Sequence, residues 1–325
     1  MYSNTAAVFR ADLTNSLVEQ ASEWESGLIG MRALPVINVP AKAGQYPIFN
    51  LAAGNLLRNE VKARAPYGAF PRGTNAFDQG TYACTEWGYE SPVDDTIKLD
   101  MARYFDAEVL ASKLAMRKVA LGHEVRAAAC INSTTLWGTS TNSSTAYTIA
   151  NIATFDIGLD VEEALERLRA KGENANNATV IMSAAVFLRA RASTKLQNRL
   201  RGIGVSSDTI LNVSEQAVAE ALGVKEVLVG RCYYDGSLEG ATYSSTAIWG
   251  NTYVWVGNIG TGGGVQNMFG GGGAFTLNWG QYGPPLSVET YRDEPIKSDI
   301  VRSAQYVTEK VVNANAGTII ATQYS

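Results

Sequence analysis

The chain has 325 residues, of which 46% are hydrophobic; 27 Lys and Arg stand against 31 Asp and Glu, for a formal charge of −4. That length suggests two domains or one with appendages. The mild negative charge argues against nucleic-acid binding by phosphate neutralisation, and there is no apolar run of about 18 residues to suggest a membrane span. Charged residues make up only 18%, below the usual quarter, so much of the surface is neutral and suited to being covered by other subunits.

Asn4 or Thr5 is placed to cap a first helix with Phe9, Leu13, Leu17, Ala21 and Trp24 on one stripe. Two readings stay open: a surface helix on its own core, or an arm docked on another chain. Gly27 and Gly30 end it, and Pro35 and Pro40 make the next stretch extended.

Residues 39–99 have frequent Gly and Pro and little helical periodicity. QYPIFNLA reads as an outgoing limb and TYACTEWGYESPV as a returning strand, with a long tip between them. Such a loop is a functional extension or disordered. Tyr67, Phe70, Phe77, Tyr82, Trp87 and Tyr89 argue against disorder; aromatics that find no home core are buried on a neighbour. The outgoing limb and tip carry Arg58, Lys62, Arg64 and Arg72, and the return carries Asp78, Glu86, Glu90, Asp94 and Asp95. Either the two limbs attract each other, or the basic tip meets an acidic surface on an adjacent subunit.

Residues 100–132 read as one helix, roughly 50 Å long. Met101, Phe105, Val109, Met116, Val119 and Cys130 project to one side, and Leu110, Leu114, Leu121 and Val125 to nearly the opposite side. The first face is expected to be internal. Asp106, Lys113, Arg117 and Glu124 form a charged row expected to be exposed or to touch a neighbour.

A Ser/Thr-rich loop or short hairpin follows. Asp160 is expected to cap a helix closed by Gly172, with Glu163 completing a capping box. ATVIMS is a short buried strand, Ser183 caps one helix reaching Gly202, and a helix from Ser214 to Gly223 leads into the strand VKEVLVG. From Thr246 the chain is strand and turn, with a glycine-rich loop at 260–273 read as a flexible connection between strands. The last forty residues alternate as strands around a turn near Asn313 to Gly317. Residues 179–279 thus hold enough helix and strand to be an α+β domain.

Chemistry is hard to find in this pattern. His123-Glu124 starts the zinc motif H-E-x-x-H, but Ala127 stands at the second histidine. No G-x-S-x-G elbow or Gly-Lys pair occurs, and the glycine-rich loop fails every register of G-x-G-x-x-G. Cys84, Cys130 and Cys232 are far apart and odd in number, so three reduced, buried thiols are expected, in a cytosolic redox setting. No catalytic, metal or cofactor site is expected, and the chain is read as not an enzyme.

Taken in order, these parts resemble the major capsid proteins of tailed bacteriophages, with the Hong Kong 97-type fold. LNVSEQAVAEALGVKEVLVGRCYYDGS is similar to a segment of that family in which a short helix ending in Leu-Gly-Val enters a strand closing in Gly-Arg. AFTLNWG and VETYRDEPIKSDIVRSAQYVTEKVVNANAGTII resemble its tyrosine-rich return and terminal strands. The resemblance covers essentially the whole chain through soft patterns. It implies an α+β capsid fold with an amino-terminal arm (1–38), an extended loop (39–99), a peripheral domain holding a spine helix (100–178), an axial domain (179–284) and a return to the peripheral domain (285–325).

The function it implies is self-assembly into pentamers and hexamers that form an icosahedral shell around double-stranded DNA. The chain would then be a virion protein assembled in host cytoplasm. The expected inter-subunit contacts are Phe9, Leu13 and Trp24 of the arm and Arg58, Lys62, Arg64, Tyr67, Phe70, Arg72 and Phe77 of the loop. Because the sequence opens directly on the short arm, a separate scaffolding protein is expected, with a portal protein and room for a decoration protein. Neither sequence-specific nucleic-acid binding nor a membrane is expected, and no Lys and Asn context suggests covalent cross-links. The rival readings are an encapsulin-type nanocompartment shell and, remotely, a hydrolase with an unrecognised site.

Overall fold

The computed structural model describes residues 8–9, 27–48, 57, 59–64, 66–70, 72, 78–101, 106–138, 140–204, 213–269 and 271–324. The chain opens with strand Val8–Phe9 (β1), helix Gly30–Ala33 (α1) and strands Val36–Val39 (β2), Ala43–Ile48 (β3), Asp78–Ala83 (β4) and Thr85–Asp94 (β5). Helices Asp95–Met101 (α2), Ala107–Ile131 (α3) and Thr134–Trp137 (α4) follow, then strand Ser140–Asn142 (β6) and helix Ile157–Ala170 (α5). Next come Ala178–Ser183 (β7), helices Ala184–Ala192 (α6), Thr194–Gly202 (α7) and Glu215–Leu222 (α8), and Glu226–Gly230 (β8). The remaining strands are Tyr233–Asp235 (β9), Ser245–Ala247 (β10), Tyr253–Asn258 (β11), Gly263–Gly264 (β12), Ala274–Trp279 (β13), Ser287–Asp293 (β14), Ser298–Val311 (β15) and Gly317–Ala321 (β16).

Two main sheets are built from these strands. The first runs β1-β14-β15-β13-β2-β12, with β5 antiparallel to the long strand β15 along Thr85–Asp94. The second runs β6-β16-β11-β7-β8. Every residue of β7 is buried, because this sheet is covered on both sides: Val180 and Met182 pack into a core with α5 to α8, while Ile181 packs with Trp137, Trp249 and Trp255.

The long helix α3 ties the two sheets together. Its first half packs Ala111 and Met116 against Val93, Val288 and Val301 of the first sheet. Farther along, Ala127, Ala128, Cys130 and Ile131 share a core with Ile181, Leu228 and Ile319 of the second. The expected inner face is buried at Met116, Val119 and Cys130, and Leu110 and Leu114 are exposed. Leu121 and Val125 instead pack against the core between the sheets, where the helix has structure on both flanks.

Several local expectations are corrected. Helix is broken before Ala107: Asp106 accepts hydrogen bonds from the backbone N–H of Glu108 and Val109 and caps a new helix there. Glu124 is not an exposed member of a charged row but is 1% exposed, because it binds the chain entering α1. Phe9, expected in a helix, lies in β1 opposite Glu289 of β14. Asp156, not Asp160, caps α5; Asp160 is buried, accepting from Tyr147 Oη and Ser144 N. The single helix expected from Ser183 to Gly202 is split at Ser193, whose hydroxyl donates to the Phe155 carbonyl. The glycine-rich loop joins β11 of the second sheet to β13 of the first, and within it Gly263–Gly264 pairs with β2. The caps at Ser183 and Ser214, the left-handed Gly172 and Gly223, and the strand after Gly223 follow the sequence reading.

Candidate assembly surfaces

The extension begins as an antiparallel ladder in which β3 pairs with β4, from Ala43 opposite Ala83 to Ile48 opposite Asp78. Tyr46 and Tyr82 anchor this ladder by packing with Ile37, Val39, Phe275 and Leu277 of the first sheet. Beyond it, none of the described residues of the tip belongs to a core cluster. Tyr67 is 105% exposed and Phe70 68%; Val61, Lys62, Arg64 and Arg72 are exposed too. Arg64 stacks over the Phe70 ring at 5.1 Å, while Lys62, Arg64 and Arg72 make no ion pair among the described residues. Tyr67 has a φ of 66°, unusual for a bulky side chain. Leu13, Trp24, Arg58 and Phe77 lie outside the described residues.

The returning limb spends its acids elsewhere. Glu86 accepts from Tyr306 Oη, Glu90 lies 3.7 Å from Arg302, and Asp94 accepts from Thr96. Asp95 takes both ends of the Arg292 guanidinium at 2.6 Å. This hydrogen-bonded fork holds the Asp95 carboxyl below its ordinary range. Arg292 also bonds Asp299, and Lys98 bridges Asp299 and Glu108, so the foot of the extension is braced to β14, β15 and the start of α3. None of these four acids pairs with Lys62, Arg64 or Arg72.

The first sheet presents a second surface on the side away from α3. Thr276 and Glu309 are opposite each other across β13 and β15 and face the helix, where they meet His123 and Arg126. Side chains alternate along a strand, so Trp279 and Tyr306 point the other way. With Tyr282 they form a cluster: ring centroids are 4.2 Å apart for Tyr282 and Tyr306, 5.5 Å for Trp279 and Tyr306 and 6.3 Å for Trp279 and Tyr282. The bond to Glu86 pushes the Tyr306 hydroxyl up to about 12.

No protein-family model matches the sequence, and no curated protein sequence matches it. Solved structures do match. A phage-related protein from Bordetella bronchiseptica RB50 superposes with a TM-score of 0.70 at 19% identity, covering 98% of each chain. The capsid protein of cyanophage P-SCSP1u gives 0.58 at 13% identity over 89% of this chain and 86% of that one. A virus-like particle from Pyrococcus furiosus gives 0.52 at 10% identity, covering 95% and 97%. The chain has the Hong Kong 97-type capsid fold.

With 98% of both chains covered in the first of these matches, the likeness of fold runs along essentially the whole chain. Its one histidine is not set up for catalysis. His123 is buried against Thr276 Oγ1 at 3.0 Å, and burial, with Arg126 adding to it, brings its pKa down to about 4. Burial likewise pushes the Cys130 thiol up to about 12, the wrong direction for a nucleophile. Among the described residues no cluster of His, Cys, Asp and Glu has the geometry of a metal site, and no helix is long and apolar enough to cross a membrane.

The sequence reading put Glu124 in an exposed row and missed Trp279, Tyr282 and Tyr306. For the aromatic three, the only available signal was strand alternation in β13 and β15. Alternation assigns faces within each strand, but the register that joins the faces is a tertiary fact.

Proposed function

We propose that the chain is a major capsid protein whose copies assemble through pentamers and hexamers into a closed icosahedral shell around double-stranded DNA. The observation that carries this reading is the extension: a limb, braced at its foot, whose described tip residues hold aromatic and basic side chains outside the protein's own core. Groups so exposed are stabilised only when another chain covers them. In this reading residues 1–38 are the arm, 39–99 the intersubunit loop, 100–178 and 285–325 the peripheral domain, and 179–284 the axial domain that surrounds the five-fold and six-fold axes. Phe9, Lys62, Arg64, Tyr67, Phe70 and Arg72 are assigned to contacts between copies.

Net negative charge suits a wall that encloses DNA without gripping it. Many weak contacts, each repeated around the shell, give a particle that is hard to take apart. A scaffolding protein and a portal protein are the partners this reading calls for, and the virion is the place. The test is sedimentation and negative-stain microscopy of the purified chain, alone and with a scaffold. Particles are expected; dimers or tetramers under all conditions sink the reading. Nuclease-protected DNA inside particles from infected cells separates a DNA shell from an encapsulin-type compartment.

A further inference from the structure

The first half of α3 turns one face away from the sheet it packs on. Leu110, Leu114, Arg117 and Leu121 project along a single line there, opposite the buried Val119. Leu110 is 43% exposed and Leu114 44%, so neighbouring turns of the helix present an apolar stripe to a partner. Lys113 and Lys118 flank this line on its two sides. Between Glu108 and Glu124 the helix carries Lys113, Arg117 and Lys118 and no carboxylate.

Farther along, the same face already holds the chain that enters α1. Glu124 projects next to Leu121 and accepts from Ile29 N and Gly30 N, and Leu121 packs with Ile29, Ala33 and Leu34. A Cβ on Gly27 would fall 3.0 Å from Cys232 Sγ. Burial raises the Cys232 pKa, with Glu124 raising it further and Arg117 lowering it, so this thiol also lies near the Arg117 side of the helix. At the other end, Val8 and Phe9 pair with Thr290 and Glu289 of β14, and Val288 of that strand shares a core with Ala111 and Met116 of α3. Residues 10–26 therefore connect a point beside the first half of α3 to a point at Glu124.

The sequence of that connection is complementary to the face. Residues 10–26 carry Asp12, Glu19, Glu23 and Glu25 against Arg10 alone, the reverse of the charge on α3. Leu13, Leu17 and Trp24 are spaced four and seven apart, and so are Leu110, Leu114 and Leu121. The lengths agree as well: seventeen helical residues span roughly 25 Å, and the rise from Leu110 to Glu124 is roughly 21 Å. We propose that residues 10–26 lie as an acidic amphipathic helix along the Leu110–Leu114–Leu121 face of α3 in the same chain, parallel to it. Leu13 then stands over Leu110, Leu17 over Leu114 and Trp24 over Leu121, and the next step in this register brings Gly27 to the level of Glu124. The acids meet Lys113, Arg117 and Lys118. This goes beyond the shell reading and holds whether or not copies assemble, because it places the middle of the arm on its own chain.

A cysteine pair in the full-length chain, Leu17→Cys with Leu114→Cys, tests the placement. Oxidation is expected to give a monomeric product in which peptide mapping finds residues 17 and 114 joined, a link that neither single variant gives. Hydrogen exchange read by mass spectrometry tests the chemistry. Amides of residues 10–26 are expected to be protected in the unaltered chain. They are expected to exchange at least about tenfold faster in Leu110→Ser with Leu114→Ser, and in Lys113→Glu with Arg117→Glu. Adding Glu19→Lys and Glu23→Lys to the second of these is expected to restore most of the protection. The replaced groups lie on the outer face of α3, so protection of the buried strand β7 is expected to stay as it was.

Residues 10–26 exchanging as an open chain overturn the proposal, and so does protection that neither pair of substitutions alters. A disulfide that joins two chains overturns it too, because it puts the segment on the helix of another copy. Where a substitution also loosens β7, the cysteine pair decides: the intrachain link supports the placement and its absence sinks it. Particle formation enters none of these readouts, so failure of the shell reading leaves their outcome standing.

Discussion

Glu124 is 1% exposed and accepts from Ile29 N at 2.9 Å, Gly30 N at 2.6 Å and Trp249 Nε1 at 2.6 Å. One carboxylate thereby fixes the entry to α1, the long helix and the loop before β11. Gly30 is required by the same geometry, since a Cβ there would fall 2.6 Å from Glu124 Oε2 and 3.1 Å from Ala127 Cβ. Gly30→Ala should therefore destabilise through this contact, while Gly122→Ala, at a helical site with only the Arg126 tip at 3.6 Å, should be neutral or better. Glu124→Gln turns an acceptor into a donor facing N–H groups, and denaturant titration should show a loss of about 2 kcal/mol.

Burial raises the Glu124 pKa above its ordinary 4.5. Its pH-linked contribution is then full below the unfolded value and fades as pH climbs through the raised folded value. The gap between the parent and Glu124→Gln should narrow as pH rises. His123 acts at the opposite end: with its folded pKa down to about 4 from 6.5, the neutral ring's contribution is present above 6.5 and is lost as pH falls toward 4. Up to about 3 kcal/mol is involved. Replacing His123 by Gln should flatten the acid limb of a stability profile. The sequence placed Glu124 on the right helix but on the wrong side, because helical projection knows nothing of a loop ninety residues earlier in the chain that needs an acceptor.

At the scale of elements, the caps separate what is legible locally from what is not. Ser183 and Ser214 were readable because each stands directly before its helix and needs only the N–H three residues on. Asp156 and Asp160 are both plausible caps in sequence; the structure gives the end of α5 to Asp156 and buries Asp160 under Tyr147. The two should differ in cost. Asp156→Ala is expected to lose about 1 kcal/mol. Asp160→Ala strands the Tyr147 hydroxyl and the Ser144 N–H and should lose roughly 2–3 kcal/mol, a difference that thermal melts of the two variants would resolve. The break before α3 was missed for a related reason: no proline or glycine marks it, and an Asp inside an apolar periodic stretch reads as an exposed helical position until its side chain is seen to turn back on Glu108 and Val109.

For the whole molecule, the order of outgoing and returning limbs, long helix and mixed α/β region was legible because it rests on runs of tens of residues. The partition of strands between two sheets was not. β15 and β16 are separated by a single turn, yet one lies at the centre of the first sheet and the other beside β11 in the second. The extension gives the sharpest test at this scale, because its base and tip are separable. Ile48 and Asp78 are direct partners across the β3–β4 ladder, so a short Gly-Asn-Gly-type turn can replace residues 49–77 without moving either strand. The shortened chain keeps Tyr46, Tyr82 and Cys84 in the core they share with Phe275 and Leu277, and also the Arg292 brace to Asp95. Its melting temperature should stay within a few degrees of the parent's, since Val61, Lys62, Arg64, Tyr67, Phe70 and Arg72, among the described residues of the excised stretch, are exposed. Assembly should respond differently: with the basic tip gone, particles should form poorly even at low ionic strength, where the parent's charged contacts are least screened. Normal particles from the shortened chain in sedimentation would show that the extension is not a clamp between copies.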